Sequence, residues 1–320
     1  MPRPPKPLIN DDTLAILRFL HRVRYADRDH IMAYCSRPAV RGRAIGFARE
    51  AVRSALGKLV ANQYLCASKW YPKRRNTAGA WGRDKLVYLL GQKGFAAIGE
   101  PPTLQHQRRI AKKAPYPSML RHEMMIPNFH TWLLLAERAG HFAVREIRGR
   151  DRNGGIAEDY TDRRGEQHRM RIDPDFAFIL TRHGREFPVF LEAETGEKSV
   201  EHTLQHVLKY GRAWEHRLFE PKYGIRDFVV VFLIKTDAKL QNRLEEAKRV
   251  SWFTKRALFL PEEMLDLAKP DQPMERIFAR PAGDHVSLVP SKVRGAGATV
   301  EEPEPSTSSS FHGSAHARPE

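Results

Sequence analysis

Cysteine is scarce in this chain, and so is any long apolar run. Two cysteines in 320 residues, Cys35 and Cys66, cannot build a disulfide framework or a four-thiolate zinc site, which points to a reducing cytoplasm. The longest apolar run, Phe228–Ile234, is seven residues, far short of a membrane span. Met1–Leu8, rich in proline and basic residues, lacks the apolar core of a secretion signal. A glycine-rich phosphate loop ending in Lys-Ser/Thr is missing, which argues against nucleotide hydrolysis by that route. Neither serine nor cysteine stands in a nucleophilic setting, and there is no internal repeat or heptad.

Acidic residues are also scarce at one end. Residues 1–115 hold 23 Lys+Arg against 7 Asp+Glu, a net of +16, whereas residues 116–320 hold 31 of each. All of the excess charge therefore sits in the first third. A basic block of this size attracts phosphate backbones by releasing counterions, so double-stranded DNA is the expected partner. Composition divides the chain into a basic unit at 1–100, a basic linker at 101–117 containing Arg108-Arg-Ile-Ala-Lys-Lys113, a neutral unit at 118–290, and a tail at 291–320. The tail is rich in Gly, Ala, Ser, Pro and Glu and is expected to be disordered.

Within the basic unit, Asp11 and Asp12 are placed to cap a helix carrying Leu14, Leu17, Leu20 and Val23. Asp27 is placed to cap a second, with Ile31, Tyr34 and Cys35. A third helix follows residues 36–43, with Ile45, Val52, Leu56 and Leu59 inward and Arg49 and Arg53 on its other face. The period then changes. Tyr64–Tyr71 and Lys85–Leu90 read as strands joined by a loop rich in basic and glycine residues. Three helices followed by a hairpin with a positive tip is the order of a winged helix-turn-helix, whose third helix enters the major groove while the wing reaches the backbone. Arg41, Arg43, Arg49 and Arg53 are the groove candidates, and Lys73, Arg74, Arg75 and Arg83 the wing candidates. The same arginines also suit a solvated face of a protein-binding module. Trp70, Tyr71 and Trp81 suit either stacking on bases or packing the wing.

The neutral unit reads helix, strand, strand, strand, helix, strand: 118–139, 141–148, 170–180, 187–194, 200–216 and 225–235. A polar hairpin containing Asn153-Gly-Gly155 lies between the first two strands. Pro174-Asp175 falls in the second strand and Leu191-Glu-Ala-Glu194 closes the third. Alternation puts Glu192 and Glu194 on one face, and Asp175 on the neighbouring strand would gather three carboxylates around one point. Unpaired, they would repel one another, and a divalent cation would relieve that repulsion. His202 and His206 lie four apart on a helix, without the glutamate placement of a zinc protease. His122 and His130 read as surface or boundary residues.

This combination resembles the PD-(D/E)xK nuclease-like superfamily, with an αβββαβ restriction-endonuclease-like core in an α+β or α/β chain. The resemblance implies Asp175 and Glu192 as ligands for Mg2+, Glu123 as an additional helix acid, and Gln205 and Tyr210 as a polar pair near DNA. Where that superfamily has a lysine, this chain has Glu194. Lys198 or Lys209 would have to replace it, or Glu194 would act as a third metal ligand, or the site is inactive. Leu86–Gly94, Leu120-Arg-His-Glu123, Pro174-Asp175 and Phe190-Leu-Glu-Ala-Glu-Thr195 together make the chain similar to the replication-relaxation family of plasmid and mobile-element proteins. That likeness implies a DNA-binding protein acting in replication, relaxation or transfer, with replication or relaxosome proteins, and a second copy of itself, as candidate partners. Three classes remain open on sequence: a DNA reader with a non-catalytic body, a Mg2+-dependent endonuclease, and a protein-interaction scaffold.

Overall fold

The computed structural model describes residues 9–35, 49–70, 85–102, 117–147, 154–162, 164–195, 199–236 and 239–289. The chain begins with α1 (Asp11–Val23), capped by Asn10 and not by the aspartates that follow it. The Asn10 side chain accepts from the Thr13 amide at 3.0 Å, and the Thr13 hydroxyl accepts from the Asn10 amide at 2.9 Å. Asp27 opens α2 (Arg28–Cys35), its carboxylate accepting from the amides of Asp29 and His30. The next helix, α3 (Arg49–Ala61), buries Val52, Leu56 and Leu59.

Three strands follow the same local logic. β1 (Ala26–Asp27), β2 (Leu65–Trp70) and β3 (Lys85–Leu90) form an antiparallel sheet in the order β1-β3-β2. The short helix α4 (Gln92–Ile98) then packs against the turn that ends α3. Two glycines make that approach possible. A Cβ at Gly91 would lie 2.5 Å from the Gln63 carbonyl oxygen, and one at Gly94 would lie 2.3 Å from that of Tyr64. The glycines of Leu86–Gly94 are thus places where backbones nearly touch.

The rest of the described chain is built on a seven-stranded mixed sheet. It comprises α5 (Pro117–Arg138), β4 (Ala143–Glu146), β5 (Ile156–Thr161), β6 (Gln167–Ile172), β7 (Phe176–Arg182), β8 (Arg185–Glu194), α6 (Val200–Glu215), α7 (Glu220–Tyr223), β9 (Val229–Ile234), α8 (Leu240–Ala247), β10 (Ala257–Pro261), β11 (Phe278–Ala279) and β12 (His285–Val286). The sheet order is β12-β11-β10-β9-β8-β7-β4, with β8, β9 and β10 parallel and the other pairs antiparallel. The protein is therefore mixed α+β, with eight α-helices among the described residues.

Alternation along the central strands divides the interior in two. Val231 and Leu233 of β9 join Met125, Phe129 and Trp132 of α5 on one face, while Val230, Phe232 and Ile234 join Val207 and Tyr210 of α6 and Leu244 of α8 on the other. The sequence reading of 170–180 as one strand is corrected here. Met170–Ile172 pairs with β5 in a separate two-stranded sheet, and Phe176 onward pairs with β8. Pro174 has no amide to give to either ladder, so the chain changes sheets there, leaving Asp175 in a bend at the start of β7.

The basic unit and the neutral unit share one hydrophobic cluster, in which Leu17, Leu20, Leu56 and Phe95 belong with Phe129, Trp132 and Phe178. Polar contacts fix the same contact surface. Arg22 donates from Nε to Glu146 at 2.8 Å, from Nη1 to Glu137 at 2.8 Å and from Nη2 to the Val144 carbonyl at 3.0 Å. His130, read from sequence as a boundary residue, is fully buried, and its Nε2 lies 3.1 Å from the same Glu146 oxygen. Nearby, His30 contacts Asn128, Asn128 contacts Glu262, and Glu262 pairs with Lys235.

Burial alone would push the Glu146 carboxyl up, but the hydrogen bonds and charges of His130 and Arg22 outweigh it and hold the group down at about 2. A carboxyl depressed in the folded state stabilises the protein above its ordinary value near 4.5, and that contribution disappears as pH falls through about 2. Urea unfolding at several pH values is expected to show stability falling across this acid range, with a flatter profile in Glu146→Gln. Arg22→Ala is expected to cost roughly 2–4 kcal/mol at neutral pH, because it leaves Glu146 only partly compensated.

Candidate functional site

The carboxylates singled out from sequence lie where β7 begins and β8 ends. Glu192 and Glu194 stand level with Phe232 and Ile234 of the parallel neighbour β9 and face α6. That helix is capped by Ser199, whose hydroxyl accepts from the His202 amide at 3.3 Å. Thr203, His206 and Tyr210 then recur at spacings of three and four, on one helical face turned to the acids.

Each acid has its own partners. Tyr210 donates its hydroxyl to Glu192 Oε1 at 2.6 Å, and His206 Nδ1 lies 3.2 Å from Oε2. Thr203 Oγ1 reaches both oxygens of Glu194, at 2.7 and 2.8 Å, and Arg243 of α8 approaches Oε2 at 3.4 Å. Asp175 Oδ2 accepts from the Ala193 amide at 2.8 Å and lies 3.0 Å from His122 Nε2. The Asp175 amide donates in turn to the Leu191 carbonyl at 3.0 Å.

Electrostatics follow from this geometry. Burial raises the Glu192 carboxyl above its ordinary value, and the charge of Asp175 adds to that, while His206 and Tyr210 act in the opposite direction. Burial, followed by Glu192, pushes the Tyr210 hydroxyl well up, so it stays a donor. The cluster ties α6 and α8 to the sheet through buried carboxylates that already have hydrogen-bond donors.

The three acids are held by separate sets of partners, with Asp175 close enough for its charge to act on Glu192. Among the described residues, the one set of three His, Cys, Asp or Glu side chains whose ligand atoms all lie within 4.8 Å of one another is Asp162, Glu166 and His168. Asp162 and Glu166 lie in the turn between β5 and β6 and His168 on β6 itself, and Asp162 accepts from the amides of Arg164 and Glu166. Glu194 is drawn to Thr203 and Arg243. Both oxygens of Glu192 and both oxygens of Glu194 are thus engaged by protein donors.

Other candidates are placed as follows. Lys209 is exposed on α6 and makes no hydrogen bond or ion pair with these acids among the described residues. Glu123 lies in α5, next to His122. Gln205 is exposed and donates to Glu201 at 2.9 Å, whereas Tyr210 is buried on Glu192 and is not presented outward. Arg53 is exposed on α3, and Arg49 is the first residue of that helix. Arg41, Arg43, Lys73, Arg74, Arg75, Arg83 and Lys198 lie outside the described residues, as do the linker at 103–116 and the tail from 290. Sequence reasoning missed Thr203, His206, His122 and Arg243 as partners of the acids. The spacing of Thr203, His206 and Tyr210 behind an acid-ending strand was the available signal for the first two; Arg243 has no local signal.

An antiparallel three-stranded sheet with four helices is thus joined to a mixed sheet whose acid-bearing strand is followed by a crossover helix. A family model described as replication-relaxation matches residues 17–229, from within α1 through the acids and α6 to the first residue of β9. The chain belongs to the replication-relaxation family. No match was found among curated proteins or among solved structures. No helix among the described residues is long and apolar enough to cross a membrane.

Tyr210→Phe removes a donor from a buried carboxylate and is expected to lower stability by about 1–3 kcal/mol. Lys209→Ala, one position away but exposed, is expected to change it by less than about 0.5 kcal/mol. Urea denaturation of the two variants beside wild type checks the pair. Equal effects would remove the claim that the acid cluster fastens α6.

Proposed function

We propose that this chain is a DNA-binding protein serving the replication or relaxation of a plasmid or other mobile element, with a head that reads duplex DNA and a nuclease-like body that does not itself cut. The observation that carries this reading is the confinement of the whole +16 charge to residues 1–115, in a unit whose third helix leaves Arg53 exposed while Val52, Leu56 and Leu59 are buried. In a winged helix-turn-helix, α3 would lie in the major groove and the segment between β2 and β3, which carries Lys73, Arg74, Arg75 and Arg83, would meet the backbone. The run α5, β4, β7, β8, α6, β9, with β5–β6 inserted as a side hairpin, supports an αβββαβ nuclease-like core. Family membership supports the mobile-element setting.

The non-catalytic reading of the body rests on Glu194. It stands at the usual lysine position, and Thr203 and Arg243 hold it. Cleavage by a Mg2+-dependent site on Asp175 and Glu192 is the rival, favoured by the closeness that lets the Asp175 charge act on Glu192.

Full-length protein is expected to bind duplex DNA from its encoding element with an affinity that falls steeply with salt. Arg53→Ala should weaken preference for the site, by about 1–3 kcal/mol where it contacts a base. Lys73→Ala should weaken all sequences alike and reduce the salt slope by about one. A salt-insensitive interaction would rule out the DNA reading and favour the scaffold. Supercoiled plasmid incubated with magnesium or manganese is expected to stay intact; nicking that disappears in Glu192→Gln would establish the endonuclease.

A further inference from the structure

The acids occupy one end of the parallel strands, and a cleft of about 890 Å³ occupies the other. Its walls come from residues placed just before β9 and β10 and at the end of α6: Arg226 and Asp227, Arg256 and Trp252, and Trp214, Glu215 and Arg217, three arginines against two carboxylates. Glu192 and Glu194 lie level with the far end of β9, so at about 3.3 Å per residue the two places are roughly 15–20 Å apart along the sheet.

One wall of the cleft is already fixed. The Arg256 guanidinium lies over the Trp214 ring, 4.1 Å from its centroid. Asp227 Oδ1 accepts from both Arg256 Nε, at 2.8 Å, and Trp214 Nε1, at 3.1 Å. The carboxylate therefore holds the arginine and the indole as a stacked pair. Trp252 is different, being 46% exposed, the most open large apolar side chain among the described residues. It sits against α6 at Gly211, where an added Cβ would come within 3.1 Å of Trp252 Nε1 and 3.4 Å of Phe253 Cβ. Arg226 pairs with Glu220 at 2.6 Å, whereas Arg217 makes no ion pair among the described residues.

We infer that this cleft binds an unpaired nucleotide of single-stranded DNA, with its base stacked on Trp252 and its phosphate met by Arg217. An exposed indole offers a flat π-face to any base, and an unpaired guanidinium beside it offers a fork to phosphate oxygens. Duplex DNA does not satisfy this chemistry, because its base faces are already stacked on one another. The inference concerns a different surface from the basic head and does not depend on the head reading duplex DNA.

The test uses the full chain and fluorescence anisotropy with a labelled oligothymidylate and a labelled duplex. Trp252→Ala and Arg217→Glu should each weaken oligothymidylate binding roughly tenfold while leaving duplex binding unchanged, and Trp252→Phe should restore most of the loss. Arg53→Ala should show the converse pattern. Wild-type affinity for oligothymidylate in both Trp252→Ala and Arg217→Glu would overturn the assignment. So would equal affinity for free thymidine monophosphate, which would make the cleft a mononucleotide pocket, or binding of poly-glutamate in place of the oligonucleotide, which would make it a protein-docking site. If duplex binding fails in wild type but Trp252-dependent single-strand binding persists, the proposed reading of the head falls and this one stands.

Discussion

Two-sided burial of the central parallel strands is the constraint from which the rest follows. Val230, Val231, Phe232, Leu233 and Ile234 of β9 are all buried, alternately against α5 and against α6 and α8. Any polar side chain on the neighbouring stretch of β8 must therefore find its partner within the protein. Glu192 and Glu194 do, and the helix that supplies Tyr210, His206 and Thr203 is the one that carries the chain from β8 across to β9. The crossover that makes the sheet parallel also brings the donors that make its acids tolerable. A chain that kept those glutamates but lost α6 would leave Glu192 without Tyr210 and His206 and Glu194 with Arg243 alone.

The same economy governs the contact between the basic and neutral units. Arg22, on the last turn of α1, spends its three nitrogen groups on Glu146, Glu137 and the Val144 carbonyl, all in the neutral unit. One of the head's arginines is thus structural, and the hydrophobic cluster around it runs through both units. Electrostatically the chain is two objects, but in packing they are joined. On the DNA-reading proposal, this gives the head a fixed platform, so a duplex held by α3 would stand in a defined relation to the body. A head cut away at residue 115 would lose the Arg22 contacts and divide the shared cluster, which is why binding is best measured on the whole chain.

Much of this was legible in the sequence where the signal was local. The periodicities of α1, α2, α3, β2, β3 and α6 gave their positions to within a few residues, because each is a short amphipathic or alternating run. The positions of Glu192 and Glu194 on a shared face followed from strand alternation alone. What sequence could not supply was the choice among partners. Met170–Leu180 reads as one strand because nothing in its composition says that its two halves pair with different strands; Pro174 was the mark of the break. His130 looked like a boundary residue because a histidine on a helix carries no sign of whether Glu146, on the following strand, is waiting for it. Arg243 could not be assigned to Glu194 at all, since only the β9–α8–β10 crossover brings them together.

That difference bears on how the acids should be read. A pattern of carboxylates along strands specifies a face, but a metal site also needs convergence, and convergence is a property of what else competes for the oxygens. Here Thr203 and Arg243 compete for Glu194, and Tyr210 and His206 for Glu192. Glu194 leaves a negative charge at this end of the sheet that Arg243, arriving from the side of the fold, can neutralise. The arginine therefore fits a body whose acids serve packing better than one whose acids wait for an ion. At the opposite end of the same strands, Asp227 orders Arg256 and Trp214 while Trp252 stays largely exposed, so the cleft inferred to take a nucleotide lies away from the acids that the sequence pattern first draws attention to.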